Sequence, residues 1–436
     1  MSKTKAGPAA AAADNTGQRT VTTRNDSDAT TKGPGTGDKG KEAIGTEGAK
    51  TTPPPLEQAK AVYKKWLELP DDRILDFVFG VVFANYLGGD PVWGGIVGAS
   101  GDTKTEILRS LEHDRIYTLS NLTPKTLISG LPSAMNQNVD PSLLPKLDGK
   151  ILVVKDLTPL ISGPSDLRTQ ILGQFRDAYD GSSSMSFGTG DTKSFKSRFG
   201  MLFGVTPVIE SCWPVINALG ERFLYYRCKP GDSLAKVKAA FKNSNKKTKM
   251  RKELAVAAAF ILKDLGPPTP EIGRVLQEQI IQLADVVAKA RTPVKRRGHT
   301  EEIEYEPTAE MGTRLVGQLT QLARGITVVR GLTACDESVM EIIRHVAASG
   351  IPTKRLKLLR ALLERQDPAG SAELGTAVRL GSSTVNLDLE DLWSLGLVNR
   401  SGGSGSSHMW QLSAMGRERL SASRLFGKDG SQVPTP

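Results

Sequence analysis

The sequence of 436 residues has few of the side chains that build disulfide frameworks or metal centres. Its three cysteines, Cys212, Cys228 and Cys335, lie far apart, and its four histidines include no pair at the spacing of zinc ligands. A disulfide-stapled secreted domain and a zinc module are therefore not expected. This cysteine usage is typical of a protein from a reducing cytoplasm.

Long apolar runs are also missing. The first residues, MSKTKAGPAAAAADN, lack the apolar core of a signal peptide. The most apolar stretch, residues 74–87, is interrupted by Asp76 and is too short to cross a bilayer. We therefore expect a soluble, cytoplasmic protein with no membrane partner. Its net charge of +10 mildly favours a polyanionic partner such as nucleic acid.

Changes in composition divide the chain into five segments. Residues 1–55 contain hardly any large apolar side chains, which predicts a disordered tail. Residues 56–90 have apolar positions at helical spacing. Short apolar strands alternate with helical patterns over residues 91–232, and helical patterns fill residues 233–350. The rhythm changes again over residues 351–436, which indicates a separate small domain.

Four apolar runs in the middle of the chain have the form of buried strands. They are VWGGIVGA, RIYTLSN, KILVVKDL and GMLFGVTP. Near-continuous apolar strands separated by helices are typical of a parallel sheet covered on both faces. The sequence therefore predicts an α/β fold in this region.

The segment GASGDTKTEILRSL follows the first of these strands and opens a helix, the context that a phosphate loop of the form Gly-x-x-x-x-Gly-Lys-[Ser/Thr] requires. In such a loop, backbone N–H groups and the helix start surround phosphate oxygens. Lys104 would reach the β- and γ-phosphates, and the Thr105 hydroxyl would help to hold Mg²⁺. We expect ATP and Mg²⁺ as ligands. The predicted nucleotide-binding residues are Gly98, Ala99, Ser100, Gly101, Asp102, Thr103, Lys104 and Thr105.

Two positions depart from the usual pattern of such ATPases. Thr103 stands where the second glycine normally lies, and a β-branched residue does not readily take a positive φ, so the loop geometry and turnover stay open. The strand ILVVKDLTPL has the form of a Walker B strand, which usually ends in two adjacent acids. Here the pair is Lys155–Asp156. Asp156 would act either through Mg²⁺ or by polarising the attacking water, and both roles stay open.

The later segments GMLFGVTP and INALGERFLYYRCKP follow one another in a way that resembles the AAA+ ATPases. In that family a polar sensor ends the fourth strand, and a Leu-x-x-Arg-Phe segment places an arginine finger at the γ-phosphate of the neighbouring subunit. The resemblance implies that Thr206 is the first sensor and Arg222 the finger. Arginine suits this role because its charge is permanent and its planar fork matches phosphate oxygens.

A further segment, EPTAEMGTRLVGQLTQLARGITVVRGLTACDESVMEIIRHVA, is similar to the helical lid of the minichromosome-maintenance branch of AAA+ helicases. There a Thr-Arg pair opens a lid helix and its arginine is the second sensor, which implies this role for Arg314. The spacing of Leu315, Leu319 and Leu322 independently predicts an amphipathic helix with Arg314 in its first turn. The resemblance covers residues 93–350. It implies a homo-oligomeric ring or partial ring with ATP between subunits.

Two basic stretches could contact nucleic acid. SMSFGTGDTKSFKSRFGML, with TGDT as its turn, lies where related helicases carry a pore-facing hairpin. By that analogy the cations that would face the nucleic-acid backbone are Lys193, Lys196 and Arg198. Phe187, Phe195 and Phe199 are expected to anchor the hairpin to the core. The second stretch, residues 236–252, is either a phosphate-binding face or an ordinary solvated helix face.

The C-terminal segment looks like a winged helix-turn-helix domain, with three helices followed by a Gly/Ser-tipped hairpin. Its recognition helix would start at the turn of residues 381–384. That helix carries Asp388, Glu390 and Asp391, and the hairpin tip is nearly uncharged, so contact with DNA and contact with protein both stay open. The candidates for contacting DNA are Ser383, Thr384, Arg379, Arg400 and His408.

The expected fold class is therefore α/β, a P-loop NTPase parallel sheet with a helical lid, followed by an α+β winged-helix domain. The first functional hypothesis is an ATP-driven ring or partial ring that acts on DNA, helicase- or translocase-like. The alternative, which Thr103 and Lys155 favour, is a regulator in which bound ATP controls a winged-helix DNA- or protein-binding module with little turnover. A third hypothesis is an ATPase adaptor of a mobile-element or defence system, whose winged helix grips protein.

Overall fold

The computed structural model describes residues 54–101, 103–129, 140–187, 190, 192–218, 221–266, 268–402 and 408–427. Several predicted features fall outside these residues: nearly all of the N-terminal tail, Asp102 of the phosphate loop, Thr189 and Asp191 of the TGDT turn and the tip of the C-terminal hairpin. Within the described residues, no helix is both long enough and apolar enough to span a bilayer.

Two helices precede the central sheet, α1 (Pro55–Trp66) and α2 (Arg73–Ala84). Apart from Arg73 at its start and Asp76, α2 is apolar on all sides, and every residue after its first is buried. A helix without a polar face has to be covered all around, and α2 lies between the sheet and a later helix. The carboxylate of Asp76 is balanced there by Lys60 at 2.8 Å and by Arg330 at 2.5 Å.

The sheet and its connecting helices follow. In chain order the elements are β1 (Trp93–Val97), α3 (Lys104–Arg109), β2 (Ile116–Leu119), α4 (Pro124–Leu127), α5 (Leu144–Leu147), β3 (Ile151–Val154), α6 (Thr158–Ile161), α7 (Ser165–Tyr179), β4 (Ser182–Ser186), β5 (Thr192–Lys196), β6 (Gly200–Val205), the 3-10 helix Pro207–Cys212, α8 (Trp213–Ala218) and β7 (Phe223–Arg227). β4 and β5 pair with each other as a hairpin.

The other five strands form one sheet, parallel throughout, in the order β2-β3-β6-β1-β7. Every residue of β1, β3, β6 and β7 is buried, whereas the edge strand β2 is partly exposed. Continuous burial explains why these strands are apolar without alternation. The predicted α/β fold with a central parallel sheet is confirmed. β7, with the sequence FLYYR, is a strand that the sequence analysis did not identify.

Two hydrophobic cores cover the two faces of this sheet. One joins α1, α2 and the later helices to Ile96, Leu202 and Leu224 of the strands. The other lies under α7 and is centred on Trp93, whose ring packs against Phe175, Tyr179, Phe199 and Phe223. Because successive strand residues point to opposite faces, both cores hold the same strands, and the strand ends are fixed in position.

The second half of the chain is mainly helical. Its elements are α9 (Ser233–Lys242), the 3-10 turn Ser244–Lys246, α10 (Lys247–Leu262), α11 (Arg274–Arg291), α12 (Thr313–Val329), α13 (Glu337–Ser349), α14 (Thr353–Leu363), β8 (Ala369–Gly370), α15 (Ser371–Val378), α16 (Ser382–Ser394), β9 (Val398–Ser401), β10 (Met409–Leu412) and α17 (Ala414–Ser423). The strands β8, β10 and β9 form a small antiparallel sheet in that order, with β9 at an edge.

The helices of this half are attached closely to the sheet. α12 lies on α2, and a Cβ atom placed on Gly325 would come within 2.1 Å of the Gly80 carbonyl oxygen. Only glycine allows the two helices to cross at this distance. α17 packs on α11, where Arg419 donates to Gln282 at 3.1 Å. The C-terminal elements are therefore joined to the helices that surround the sheet.

Candidate nucleotide-binding site

The predicted phosphate loop leaves β1 in the interior of the sheet, at the edge formed by the carboxyl ends of the strands. The Gly98 amide donates to the Val205 carbonyl of β6 at 3.1 Å, and the Cys228 amide after β7 donates to the Val97 carbonyl at 2.8 Å. The chain leaves β1 toward β2 but leaves β6 toward β7, in opposite directions along the sheet. Such a reversal opens a crevice at the carboxyl edge where ligands bind in α/β proteins.

Thr103 takes an ordinary backbone conformation in this loop. Its φ of −67° and ψ of −8° lie in the right-handed helical region, and it caps α3. The positive φ of the loop, +77°, falls on Gly101. The strain that a threonine would suffer at a positive φ therefore does not arise, because the turn needs its glycine two residues earlier than Thr103.

Lys104 folds back over the loop. Its ammonium donates to the carbonyl oxygens of Gly98 at 2.8 Å and Ala99 at 2.6 Å, and the residue is only 6% exposed. The lysine stem passes Gly204 of β6, where an added Cβ would lie 2.8 Å from the Lys155 carbonyl oxygen and 3.8 Å from the Lys104 Cβ. The close packing of these backbones fixes the direction in which the ammonium points.

Asp156 and Thr206, predicted from different strands, meet through Thr158. The Thr158 amide donates to the Asp156 carboxylate at 2.9 Å, and the Thr206 amide donates to the Thr158 hydroxyl oxygen at 3.1 Å. Asp156 itself is exposed to solvent, and Thr206 is half-buried. β3, β6 and β1 are adjacent, so these groups end at the same edge as the phosphate loop. The sequence analysis missed Thr158, although a threonine two residues after an aspartate is a common turn signal.

A shallow cleft borders the loop on the side of β7. It is lined by Leu69, Pro70, Asp71, Ile74, Thr103, Tyr226, Cys228, Lys229 and Lys236. Asp71 accepts two hydrogen bonds from the Arg73 guanidinium and one from the Arg73 amide, and it lies 3.2 Å from Lys229. Burial raises the pKa of Asp71, but these hydrogen bonds and charges outweigh it and hold the pKa well below its ordinary value. Nothing in the sequence near Asp71 signals this partnership, because Lys229 is remote in the chain.

The two predicted metal ligands, Thr105 and Asp156, lie at the carboxyl edge of the sheet. In the described part of the chain, no group of three or more His, Cys, Asp or Glu side chains is arranged to hold a metal. Mg²⁺ commonly takes one or two protein oxygens and completes its shell with phosphates and water. Thr105, half-buried in the first turn of α3, and Asp156 supply oxygen donors of this kind.

Arg222 lies at the opposite edge of the sheet from the loop. It directly precedes β7, and its guanidinium bonds Asp180 at 2.9 Å and lies over the Tyr179 ring at 5.6 Å. Arg222 is 6% exposed. Burial and, to a smaller extent, the positive charge of Arg314 lower its pKa, while Asp180 opposes them. Because all five strands are parallel, Arg222 cannot join the loop of its own chain.

Arg314 belongs to the same edge as Arg222. It is the second residue of α12, and one turn later Gln318 donates to the Arg222 carbonyl at 2.7 Å and to the Tyr179 hydroxyl at 3.2 Å. The predicted second sensor and the predicted finger are thus neighbours. Glu221 lies beneath them, fully buried, and accepts hydrogen bonds from the amides of Arg222 and Phe223. Burial raises the pKa of Glu221 to about 7.

The three cations that are predicted to contact nucleic acid, on and after the hairpin β4–β5, differ in their exposure. Lys193 is half-buried, lies 3.0 Å from Asp140 and donates to the Ser129 carbonyl at 2.8 Å. Lys196 and Arg198 are exposed, near the amino end of β6. Phe187 and Phe195 pack against the core under α7, and Phe199 is 2% exposed within it. The expectation that the three phenylalanines anchor the hairpin is confirmed.

In the C-terminal part, the acidic side of α16 faces the protein. Asp391 accepts from Arg296 at 2.6 Å and from Arg355 at 2.7 Å, and Arg296 also bonds Glu390 at 3.1 Å. Burial raises the pKa of Asp388, which lies beside Arg355. Because these acids are paired with arginines, they do not exclude an anionic partner on the outer side of α16. The sequence analysis missed Arg296, which is 95 residues from Asp391.

The outer side of this region carries the remaining candidates. Ser383 is exposed and Thr384 half-buried at the start of α16, and His408 is half-buried. Arg400 of β9 is exposed and stacks over the ring of Trp393, 4.3 Å from its centroid. The other cation, Arg379, is exposed at the turn between α15 and α16, with a φ of +59°.

The sites at both edges of the sheet thus consist of residues that the fold of this chain brings together. No protein-family model matches this chain, and no curated protein sequence matches it either.

Proposed function

We propose that this chain is an ATP-binding ATPase of the AAA+ type that acts on DNA in the manner of a helicase or translocase. Its core would be a P-loop sheet with a helical lid, its C-terminal part a winged helix, and its working form a cytoplasmic ring or partial ring. The observation that carries the proposal is the convergence of Lys104, Asp156 and Thr206 at one edge of the sheet, around a loop whose carbonyls hold the lysine ammonium.

Residues of the loop and residues that follow β3 and β6 would each have a separate role in ATP hydrolysis. A phosphate oxygen is a stronger acceptor for Lys104 than the carbonyls of Gly98 and Ala99, so ATP would draw the ammonium from the loop. Thr105 and Asp156 would hold Mg²⁺, which when bound neutralises charge on the β- and γ-phosphates. Through Thr158 the Asp156 carboxylate and the Thr206 amide are held in one arrangement, and Thr206 would orient the attacking water.

The arginines at the amino edge support a site shared between subunits. Arg222 and Arg314 are neighbours, and two adjacent guanidinium groups attract an anion. Their own phosphate loop lies a full strand away, roughly 16 Å. The anion that they suit is the γ-phosphate of a neighbouring subunit, as the resemblance to AAA+ ATPases implies. Arg222 would exchange Asp180 for that phosphate.

Exposed cations support a nucleic-acid partner. Lys196 and Arg198 lie beside the hairpin, and Arg400 lies on the outer side of the C-terminal sheet. Asp391 of α16 is bound by Arg296 and Arg355, and Arg379 and Arg400 are exposed cations of the same region. DNA phosphates are the partner that such separated cations fit.

Substitution of the loop lysine tests the proposal. Lys104→Ala should lower DNA-stimulated phosphate release by at least about a hundredfold, because a preorganised charge at the developing negative charge is lost. The exposed Lys146→Ala is the matched control and should retain activity. Thermal unfolding of both variants would show that the fold is intact. Undiminished hydrolysis by Lys104→Ala would refute the proposed ATPase site.

A second candidate is the ATP-gated regulator. It is favoured by Lys155, which replaces one of the two acids expected at this strand end, and by the salt bridge that holds Arg222 to Asp180. In that case ATP would bind and change the conformation or oligomeric state without turnover. Phosphate release measured with DNA present separates the two, since tight ATP binding without any release favours the regulator.

A further inference from the structure

α9 is a helix without a buried residue. None of its ten residues is buried, and its large apolar side chains, Leu234, Val237 and Phe241, are 58%, 62% and 82% exposed. Their spacing places all three on one face of the helix. Isolated helices of this length are marginal in water, and Asp232 supplies only an N-cap. An apolar face that the protein leaves uncovered suggests a binding partner.

The charge around this face specifies the kind of partner. Residues 236–252 contain eight cations and no acid. Within them, Arg251 is bound by Glu106 at 2.8 Å, and Lys236 is half-buried beside Thr103 at the cleft of the phosphate loop. The cations of this segment that are exposed are Lys238, Lys242, Lys246, Lys247, Lys249 and Lys252. The partner has to carry a row of negative charges.

A second feature of this segment is a groove along α10. It has a volume of about 430 Å³ and is lined by Glu112, Arg251, Lys252, Ala255, Val256 and Ala259. Val256 and Phe260, one turn apart on α10, are 62% and 51% exposed. The groove thus repeats the chemistry of α9, with cations next to exposed apolar side chains.

We propose that α9 and the outer side of α10 form a binding surface for a single strand of nucleic acid. The strand's phosphates would pair with the lysines, and its unpaired bases would cover Phe241 and the apolar groove. Cations beside exposed aromatic rings are the combination that binds single strands without regard to sequence. A duplex offers phosphates but stacks its bases inside, and so leaves Phe241 uncovered. The inference rests on the proposed action on DNA and adds its surface and strandedness.

Binding of a fluorescein-labelled oligothymidylate of about 20 nucleotides, followed by fluorescence anisotropy on the full chain, tests this surface. The double variant Lys238→Glu/Lys242→Glu should weaken binding at least tenfold. It should also reduce the slope of log affinity against log salt by about 1.4, since each lost phosphate contact on a single strand removes about 0.7. Lys146→Glu, an exposed charge reversal elsewhere, should change neither quantity.

The aromatic contribution is tested separately. Phe241→Ala should weaken binding of the single strand roughly tenfold and leave binding of a blunt duplex of equal length unchanged. Met311→Ala removes a side chain of similar exposure, 78%, at another site and is the control. Equal losses on strand and duplex would contradict stacking and overturn the inference.

Other occupants give distinct results. Binding to phosphatidylserine vesicles, lost in the α9 variants and without any binding to oligothymidylate, would identify a membrane surface. A change of mass in light scattering with Phe241→Ala, with strand binding intact, would identify a second copy of the chain. Either result overturns the inference.

The same variants separate this inference from the function on which it rests. Wild-type binding to the strand, unaffected by the α9 variants, would overturn the surface and leave the DNA function standing. No binding to any nucleic acid, with normal binding of a fluorescent ATP analogue, would overturn the surface and the DNA part of the function together.

Discussion

The cations at the two edges of the central sheet have different kinds of partner. At the carboxyl edge, the Lys104 ammonium donates to the carbonyl oxygens of Gly98 and Ala99. At the amino edge, Arg222 and Arg314 are neighbours, and Asp180 already balances Arg222. As proposed, the first edge would accept a phosphate at the loop, and the second would accept one in exchange for Asp180. Each edge would then be half of a site, and head-to-tail neighbours would join the halves.

The largest effect that tests this comparison is expected at the amino edge. Arg222→Ala should lower the rate of ATP hydrolysis roughly 10³-fold, the usual loss when an arginine finger is removed. ATP binding should stay intact, because the loop is on the other edge. An equal mixture of Arg222→Ala and Lys104→Ala subunits should recover about a quarter of wild-type activity, since one neighbouring pair in four combines two intact halves.

This mixing experiment also has a clear negative outcome. If both edges served the same nucleotide within one chain, every subunit in the mixture would stay defective and no activity would return. A mixture of Arg222→Ala with Lys146→Ala is the control, since Lys146 is an exposed lysine outside both sites. It should give about half of wild-type activity, because every loop is then intact and a site needs only an intact arginine from its neighbour.

The next effect concerns the pH dependence of stability and involves Glu221. Burial raises its pKa to about 7 in the folded chain, so the folded state binds this proton more tightly than the unfolded state does. Glu221 contributes its full stabilisation at pH values below its pKa in the unfolded state, and this stabilisation is lost as the pH rises to 7. Up to about 3 kcal/mol is involved, at 1.36 kcal/mol per pKa unit. Urea unfolding of Glu221→Gln between pH 5 and 7.5 should lack this decline.

His345 changes the stability with pH in the opposite direction, so its contribution has to be the same in the two proteins that are compared. Burial lowers its pKa to about 4, so its stability is present above the unfolded pKa and is lost as pH falls. Its Nε2 contacts the Arg227 carbonyl at the carboxyl end of β7, while Glu221 lies before the amino end of the same strand. The difference between wild type and Glu221→Gln cancels the histidine. A wild type and variant with parallel pH profiles would show that Glu221 is charged in the folded protein.

The sequence predicted the carboxyl edge better than the amino edge for a physical reason. A phosphate loop is local: Gly101, Lys104 and Thr105 are separated by a few residues, and their spacing alone indicates the turn. The apolar runs of β1, β3 and β6 likewise report burial on both faces. The α/β fold and the positions of Asp156 and Thr206 beside the loop follow from these local signals.

What the sequence could not predict depends on distant partners. Arg296 binds Asp391 across 95 residues, and Thr158 bonds Thr206 across 48. From the sequence alone the acids of α16 are expected on the protein surface, whereas in the structure Asp391 contacts Arg296 and Arg355. β7 was missed because its residues FLYYR directly follow Arg222 and were interpreted as part of the arginine segment.

The smallest effect compares two glycines of one strand, β6, that lie at its two ends. A Cβ on Gly204 would meet the Lys155 carbonyl at 2.8 Å, whereas one on Gly200 would meet the side chains of Asn85 and Ile151 at 2.5 Å. Each alanine variant should cost roughly 1–3 kcal/mol of stability by overpacking. Only Gly204→Ala displaces backbone next to Lys104, so it alone should weaken binding of a fluorescent ATP analogue, by about tenfold. Equal losses of ATP affinity in both variants would mean that ATP binding depends on the stability of the whole sheet rather than on its carboxyl edge.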